Sequence, residues 1–483
     1  MRDPVYDSLA GLQMSRRRML RAAGLGGLAA VGIPLLSSCA THGNAPAGAA
    51  SGSAAADVSG AFDWKRASGK TVRILRTPHP YVSAFDSLKL YDEFTALTGI
   101  KVEHDDVPEG DYFTKLNAEL QGKSKTHDVF MTGAYFIWQY GPPGWMEDLK
   151  PWLDNKSATS PEYDFEDIFE GLRTSTRWDF QTGSALGTGG QWAIPWGFET
   201  NVICYNKGVF DSKKIKLPDT FDNLIDLAKQ LTDRSAGNYG IAFRGSKSWA
   251  TIHPGFMTQY AREGGKDYEF SGGKLTPVMN SDVAVTFTKK WADLAKSAGP
   301  SSWTTYEYPN CTQDLADGKA MMVYDADSAT YPKWKGTKVA GKLGWYPGPA
   351  GKDGSYATNL WTWSLAMNSA IDTDQKLAAW LFIQWATGKD ALNKAASSGT
   401  FADPVRQSVF NGAFKKSIGS DYPGYLDTFE KVIGSTKIQF TPQKQFFTST
   451  ENWAGALQEI YGGKDAKSTL DALVKSNADV VNS

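Results

Sequence analysis

The sequence predicts an α/β protein built as two lobes. Three observations lead there. The chain has 483 residues, more than one small domain needs at roughly 100–200 residues each. From residue 70 onward, short β-branched runs alternate with helical periodicity in a βαβαβ order, the pattern of a mostly parallel sheet. A second series of the same kind starts near residue 192, and no repeat of fixed period links the two.

In the first series Thr71–Leu75 is a strand. Phe85, Leu88, Tyr91, Phe94 and Leu97 recur at helical spacing, and Gly99 stops that helix. Lys101 to His104 alternates as a strand. Asp111 is placed to cap a helix through Gln121, and Asp128–Thr132 is a third, apolar strand. In the second series, Trp192–Pro195 and Val202–Tyr205 form two strands with a loop between them. Thr220 can cap a helix carrying Phe221, Leu224, Ile225, Ala228 and Leu231, and Ser281 can cap one to Ser297. Gly240–Phe243, Ala320–Tyr324 and Trp363–Met367 are strands. A helix follows from Asp374 to Thr387, and the last hundred residues are mostly helical.

Residues 1–38 are an address. Arg16-Arg17 sits in a basic stretch, and the 17 residues Ala22 to Ser38 carry no charge. Four helix breakers, Gly24, Gly26, Gly27 and Pro34, weaken that run as a membrane span. The arrangement resembles a twin-arginine export signal, and Leu36-Ser37-Ser38-Cys39 resembles a lipobox. The resemblance implies cleavage before Cys39, acylation of that cysteine, and attachment to the outer face of the cytoplasmic membrane. Residues 39–60 are Gly/Ala/Ser-rich and read as a flexible tether.

Composition excludes several classes. Lys+Arg number 51 and Asp+Glu 52, with 41% hydrophobic and 21% charged residues. That is neither a disordered chain nor a basic nucleic-acid binder. Five Arg and two Asp fall in 1–38, so the exported chain carries 46 basic and 50 acidic residues. Its surface has no attraction for anionic lipid, and the anchor must be the lipid on Cys39. The only cysteines after that, Cys204 and Cys311, lie 107 positions apart and are expected to stay unbridged. The five histidines (42, 79, 104, 127, 253) show no metal-ligand spacing, and no nucleophile elbow, phosphate loop or dinucleotide fingerprint occurs in the exported chain. No cofactor and no metal is expected. One enzymatic alternative survives. Asp325 and Asp327 are two apart at a strand end and could point the same way, as the carboxylate pair of a surface-anchored carbohydrate hydrolase does.

A set of segments then gives a family resemblance. They are Asp128-Val-Phe-Met-Thr-Gly-Ala-Tyr135, Gly144-Trp-Met-Glu-Asp-Leu149, Ala193-Ile-Pro-Trp-Gly-Phe-Glu-Thr-Asn201, Tyr205-Asn206-Lys207, Tyr239-Gly-Ile-Ala-Phe-Arg-Gly245, Asp317-Gly-Lys-Ala-Met-Met-Val-Tyr-Asp325 and Asn359-Leu-Trp-Thr-Trp-Ser-Leu-Ala-Met367. In order and spacing the chain is similar, from about Thr71 to Phe410, to the extracellular solute-binding proteins of ABC importers that take sugars and sugar alcohols. The loop Thr77–Tyr81 and the Cys311 region match no pattern of that family. The resemblance implies a two-lobe periplasmic-binding-protein-like fold of type II, with a hinge and a ligand cleft between the lobes. It implies about three crossings between lobes, with 61–195 plus 345–395 as lobe one and 196–344 plus 396–483 as lobe two. It implies a monomeric, non-catalytic protein that captures a carbohydrate or polyol and delivers it to permease subunits, with no nucleic-acid partner.

A sugar or polyol has C–H surface and hydroxyls, so its cleft needs aromatic area and charged hydrogen-bonding groups. The aromatic candidates are Tyr135, Trp138, Trp196, Trp361 and Trp363, the last two pointing the same way if extended. Trp345, Trp380 and Trp385 read as core. The polar candidates are Glu199 in the loop between two strands, Arg244 after an apolar strand, and Asp325. His79, Tyr81, Glu109, Asn310, Asn359 and Arg406 form a second set.

Overall fold

The computed structural model describes residues 54–327, 336–399, 403–418 and 422–482. The export segment, Cys39 and the tether up to residue 53 lie outside the described residues. The end of the expected tether is not free: Ala55 is buried, and the Asn155 side-chain amide donates to the carbonyls of Ala55 and Val58 at 2.6 and 2.9 Å.

The two-lobed α/β architecture is organised on one seven-stranded sheet. Thr71–Arg76 pairs in parallel with Lys101–Asp106 and Val129–Gly133. The other pairings are antiparallel: Leu360–Met367 lies between Val129–Gly133 and Ile194–Asn206. The sheet is therefore mixed, and only its βαβαβ part is parallel.

Ile194–Asn206 is the organising element. The sequence suggested two strands and a loop, but the chain runs through as one strand of 13 residues. It continues because its partners change along its length. Residues up to Thr200 pair with Leu360–Met367, whereas Asn201 to Tyr205 pair with Met322–Ala326, and Ile203 to Asn206 with Leu343–Tyr346. Every backbone group of a buried strand needs a partner, and this strand takes its partners from three others. The change of partner falls between Thr200 and Asn201. Likewise Trp345 pairs with Cys204 on the lobe-two side.

The C-terminal part also divides. Phe169 N–H bonds the Val405 carbonyl and Ser408 bonds Asp167, so this stretch lies against the lobe-one segment 164–169. The helices Phe446–Tyr461 and Ala466–Val481 cover lobe two, with Gln458 donating to the carbonyls of Gly245 and Thr304 at 2.7 and 2.9 Å.

Local signals hold where they are capping signals. Thr220 accepts from Asn223 N–H at 3.2 Å to start Phe221–Gln230, and Ser281 accepts from Ala284 N–H at 3.4 Å to start Asp282–Ala298. The helix expected from Asp111 begins earlier, at Glu109, directly after Pro108. In place of a full strand over 240–243, Tyr239 and Ala242 make isolated bridges to Ala320 and Val323. Cys204 and Cys311 are both buried and unbridged.

Candidate functional site

The strand Leu360–Met367 carries one wall of the cleft. Trp361 faces Glu199 in the register and Trp363 faces Gly197. Two apart in a strand, the indoles share a face, their centroids 5.4 Å apart and nearly perpendicular. The Trp363 indole N–H donates to Glu199 Oε1 at 3.3 Å, and His79 Nε2 lies 3.4 Å from the same oxygen. His79 stacks on Tyr81 at 4.5 Å, and the Tyr81 hydroxyl donates to the Phe198 carbonyl at 2.5 Å. Two glycines make this possible. A Cβ on Gly197 would stand 2.1 Å from the Tyr81 ring, and one on Gly133 would stand 2.0 Å from the Trp361 ring. Glu109, at the start of its helix, completes this wall. Its side chain is exposed, yet the protein crowded around it disfavours the charged form and raises its carboxyl above the ordinary value; His79 counters that, and Glu199 reinforces it.

Lobe two supplies a charged fork. Arg244 Nε and Nη2 donate to the two oxygens of Asp325 at 2.9 and 2.6 Å, and the guanidinium lies 5.4 Å over the Tyr308 ring. The Asp325 side chain is fully buried. Burial alone would lower the Arg244 pKa, but Asp325 overrides it and holds the group above its ordinary value, with Glu199 adding to the effect. Arg244 also eases the ionisation of Glu109. Arg244 thus lies close enough to Glu109 and Glu199 for their charges to influence one another.

Beside this polar half lies an aromatic flank. Ser248 accepts from Ala250 N–H to start the turn Trp249–Ile252. The Trp249 ring is 5.4 Å from Trp361 and 5.3 Å from Phe447. Phe447 lies 4.4 Å from Phe136, which stacks on Phe113 at 3.8 Å. Behind it the Asn359 amide donates to the Tyr135 hydroxyl at 2.9 Å and to the His253 carbonyl at 2.7 Å. Burial, with help from Arg244, pushes the His253 pKa well down and keeps the ring neutral.

The sequence candidates thus separate. Glu109, Glu199, Arg244, Asp325, Trp361 and Trp363 come together, with His79 beside them. Glu199 does so from within a strand, not from a loop. Five candidates do not line the cleft. Arg406 has no exposure, donates to the carbonyls of Thr387 and Asp164 at 2.6 and 2.7 Å, and covers the Tyr163 ring. Trp138 is interior, packed against Trp178 and Phe446, and Trp196 is interior against Phe85. Tyr135 is enclosed in the Asn359–His253 network, and Tyr81 is a support under His79. Asn310 serves its own helix start by accepting from Glu307 N–H. The Asp325/Asp327 pair is not a catalytic pair in this geometry. Asp327 accepts from the N–H and hydroxyl of Thr200 at 3.0 and 2.6 Å, while Asp325 is spent on Arg244.

Sequence reasoning missed Trp249, Phe113, Phe136, Phe447 and Tyr308. Their only available signal was the Ser248 cap, which places Trp249 at a helix start. A groove of about 320 Å³ lined by Lys150, Tyr163 and Arg177 lies away from this cluster, and one of about 300 Å³ between Pro143 and Lys444 touches it only at Phe447.

Similar proteins place the chain in a family. The profile of the bacterial extracellular solute-binding proteins matches residues 82–392. The chain is 64% identical to an erythritol/L-threitol-binding protein of Mycolicibacterium smegmatis over 97% of each chain. It is 24% identical to a mannitol-binding protein of Pseudomonas aeruginosa over 57% of this chain and 59% of that one. In fold it is similar to an ABC transporter solute-binding protein of Agrobacterium radiobacter K84 solved with ribitol, at TM-score 0.72 and 22% identity, covering 85% of this chain and 99% of that chain. With a matching profile over most of its length and a relative this similar from end to end, the chain belongs to the bacterial extracellular solute-binding protein family.

Proposed function

We propose that this protein captures a short acyclic sugar alcohol outside the cytoplasm and delivers it to the permease of an ABC importer. The observation that carries the reading is the facing of Glu109 and Glu199 from one lobe with the Arg244–Asp325 fork of the other, beside the Trp361–Trp363 wall. An acyclic polyol offers a hydroxyl on every carbon and no ring face. Its recognition therefore rests on charge-assisted hydrogen bonds more than on stacking. The relative at 64% identity is named for four-carbon polyols, which supports the short end of the class. The protein itself performs no reaction: it shifts between open and closed arrangements as far as the ligand prefers the closed one.

The first lobe crossing belongs at Thr200, and the hinge is the strand Ile194–Asn206. The exported chain works as a monomer tethered through an acylated Cys39. Replacing that cysteine by Ser is expected to release it from the membrane fraction of its host; unchanged retention would reject the anchor.

Calorimetric titration and thermal melts with erythritol, L-threitol, ribitol, mannitol and maltose test the ligand class. A tetritol is expected to bind best and to stabilise the fold by about 2.7 kcal/mol at a hundred times its Kd. Binding of maltose but of no polyol would overturn the reading.

A further inference from the structure

The two flanks of the cleft are unequal. On one, the lobes meet ring on ring, with Trp249 of lobe two 5.4 Å from Trp361 of lobe one and Phe447 4.4 Å from Phe136. On the other, the facing groups are carboxylates and a guanidinium. The two flanks meet at the Trp361–Trp363 pair and again where Arg244 Nη1 donates to the carbonyl of Ala250, the residue after Trp249, at 3.5 Å. The Trp249 side chain is half-buried, so its ring borders space that solvent reaches. It cannot retreat, because Trp361 stands to one side and Phe447 meets it nearly edge-on at 86°.

From this geometry we infer that Trp249 sets the length of polyol the cleft accepts. The inference rests on the polyol reading above and adds the residue that selects within the class. Ring centroids 5.4 Å apart leave no layer for a carbon chain between the lobes on the aromatic flank. A bound polyol is therefore confined to the polar half. Each added carbon carries the chain toward the indole, and a close-packed aromatic cluster yields little volume. Selection of this kind works by clash with the longer homologue and needs no added attraction for the shorter one. Removing the ring opens a cavity in the direction the chain would grow.

The test is calorimetric titration of erythritol, ribitol and mannitol into the wild-type protein and the variants Trp249→Ala, Trp249→Leu and Phe447→Ala, with circular dichroism confirming the fold. In the wild type, affinity is expected to fall from tetritol to hexitol. Trp249→Ala is expected to shift the mannitol-to-erythritol affinity ratio at least tenfold toward mannitol, with Trp249→Leu shifting it less. Phe447→Ala, which keeps the indole but removes one of the two rings that hold it, is expected to shift the ratio in the same direction by less than Trp249→Ala does. If the Ala variant does not fold, the Leu variant carries the same ranking. A ratio within twofold of wild type in the folded Trp249 variants overturns the inference. A wild type that takes none of the three polyols is visible in the first titration and removes the polyol reading itself, before any variant is made; one that takes mannitol better than erythritol overturns the inference alone.

Discussion

Two of the places where this protein buries carboxylates neutralise them differently. In the cleft, Asp325 is held by both arms of Arg244. At the hinge, Asp327 and Asp403 lie within hydrogen-bonding reach of each other, and the Tyr425 hydroxyl donates to Asp403. The second oxygen of Asp403 is buried with no donor among the described residues. Burial, then the neighbouring charge of Asp327, pushes the Asp403 carboxyl well above the usual carboxylate range, with Glu199 adding to it. An arginine keeps its charge at any physiological pH, so the cleft fork is permanent. A shared proton leaves as pH rises. The contrast teaches that the candidate site carries fixed charge, while a titratable pair sits against Thr200, where the long strand changes partners.

The largest expected effect breaks the fork. Arg244→Ala leaves Asp325 buried and alone, which costs about 3–5 kcal/mol of folding stability. Arg244→Lys should cost less but still weaken ligand binding, because one planar fork becomes one point contact. Urea melts of the three proteins measure this. Stability of the Ala variant equal to wild type would mean that Asp325 does not rely on the fork.

Next comes the hinge pair. The folded pKa of Asp403 lies above its unfolded value of about 3.9. The stability it contributes is therefore complete below that value and is lost as pH rises through the folded one. Asp403→Asn keeps an acceptor for Tyr425 and supplies N–H groups that need no proton. It is expected to flatten the stability–pH curve above about pH 4 and to gain about 1–3 kcal/mol at the alkaline end, the scale of one buried unsatisfied group. Parallel curves for variant and wild type from pH 4 to 9 would remove the shared-proton account.

Smaller changes sharpen the comparison. Trp363→Phe keeps a ring but loses the indole N–H to Glu199. A loss of about 0.5–1.5 kcal/mol in ligand binding is expected, with little change in the pH profile. Thr200→Val removes one of the two donors from Thr200 to Asp327 while keeping the backbone one. Its expected cost is about 1 kcal/mol in thermal stability. It should also alter the pH dependence that Trp363→Phe leaves alone, and equal pH profiles for the two variants would blur the distinction between cleft and hinge.

Much was legible because it depends on neighbours in sequence. The caps at Thr220 and Ser281, the period-two placement of Trp361 and Trp363, and the position of Arg244 at the end of an apolar run are local patterns. A cap needs only a hydroxyl and the next turn. A strand face needs only alternation. The same local logic misread Glu199, because Pro195 and Gly197 resemble strand breakers. Gly197 is there so that the Tyr81 ring can lie on the strand.

By itself, then, the sequence determined the α/β class, most of the apolar strands and the helix starts at Thr220 and Ser281, and it singled out Arg244, Asp325, Trp361 and Trp363 as candidates. Tertiary structure decided the rest. Trp138, Trp196 and Trp361 look alike in their own segments, yet Trp196 packs on Phe85, Trp138 on Trp178 and Phe446, and Trp361 on Trp249, because what covers an indole comes from elsewhere in the chain. Arg406 looked like a free cation until residues 164–167, some 240 positions away, enclosed it. Trp249 and Phe447 enter the site only when two lobes close on each other. Local pattern fixes which way a side chain leaves its own backbone, and only long-range contact fixes whether it meets core, partner strand or ligand space.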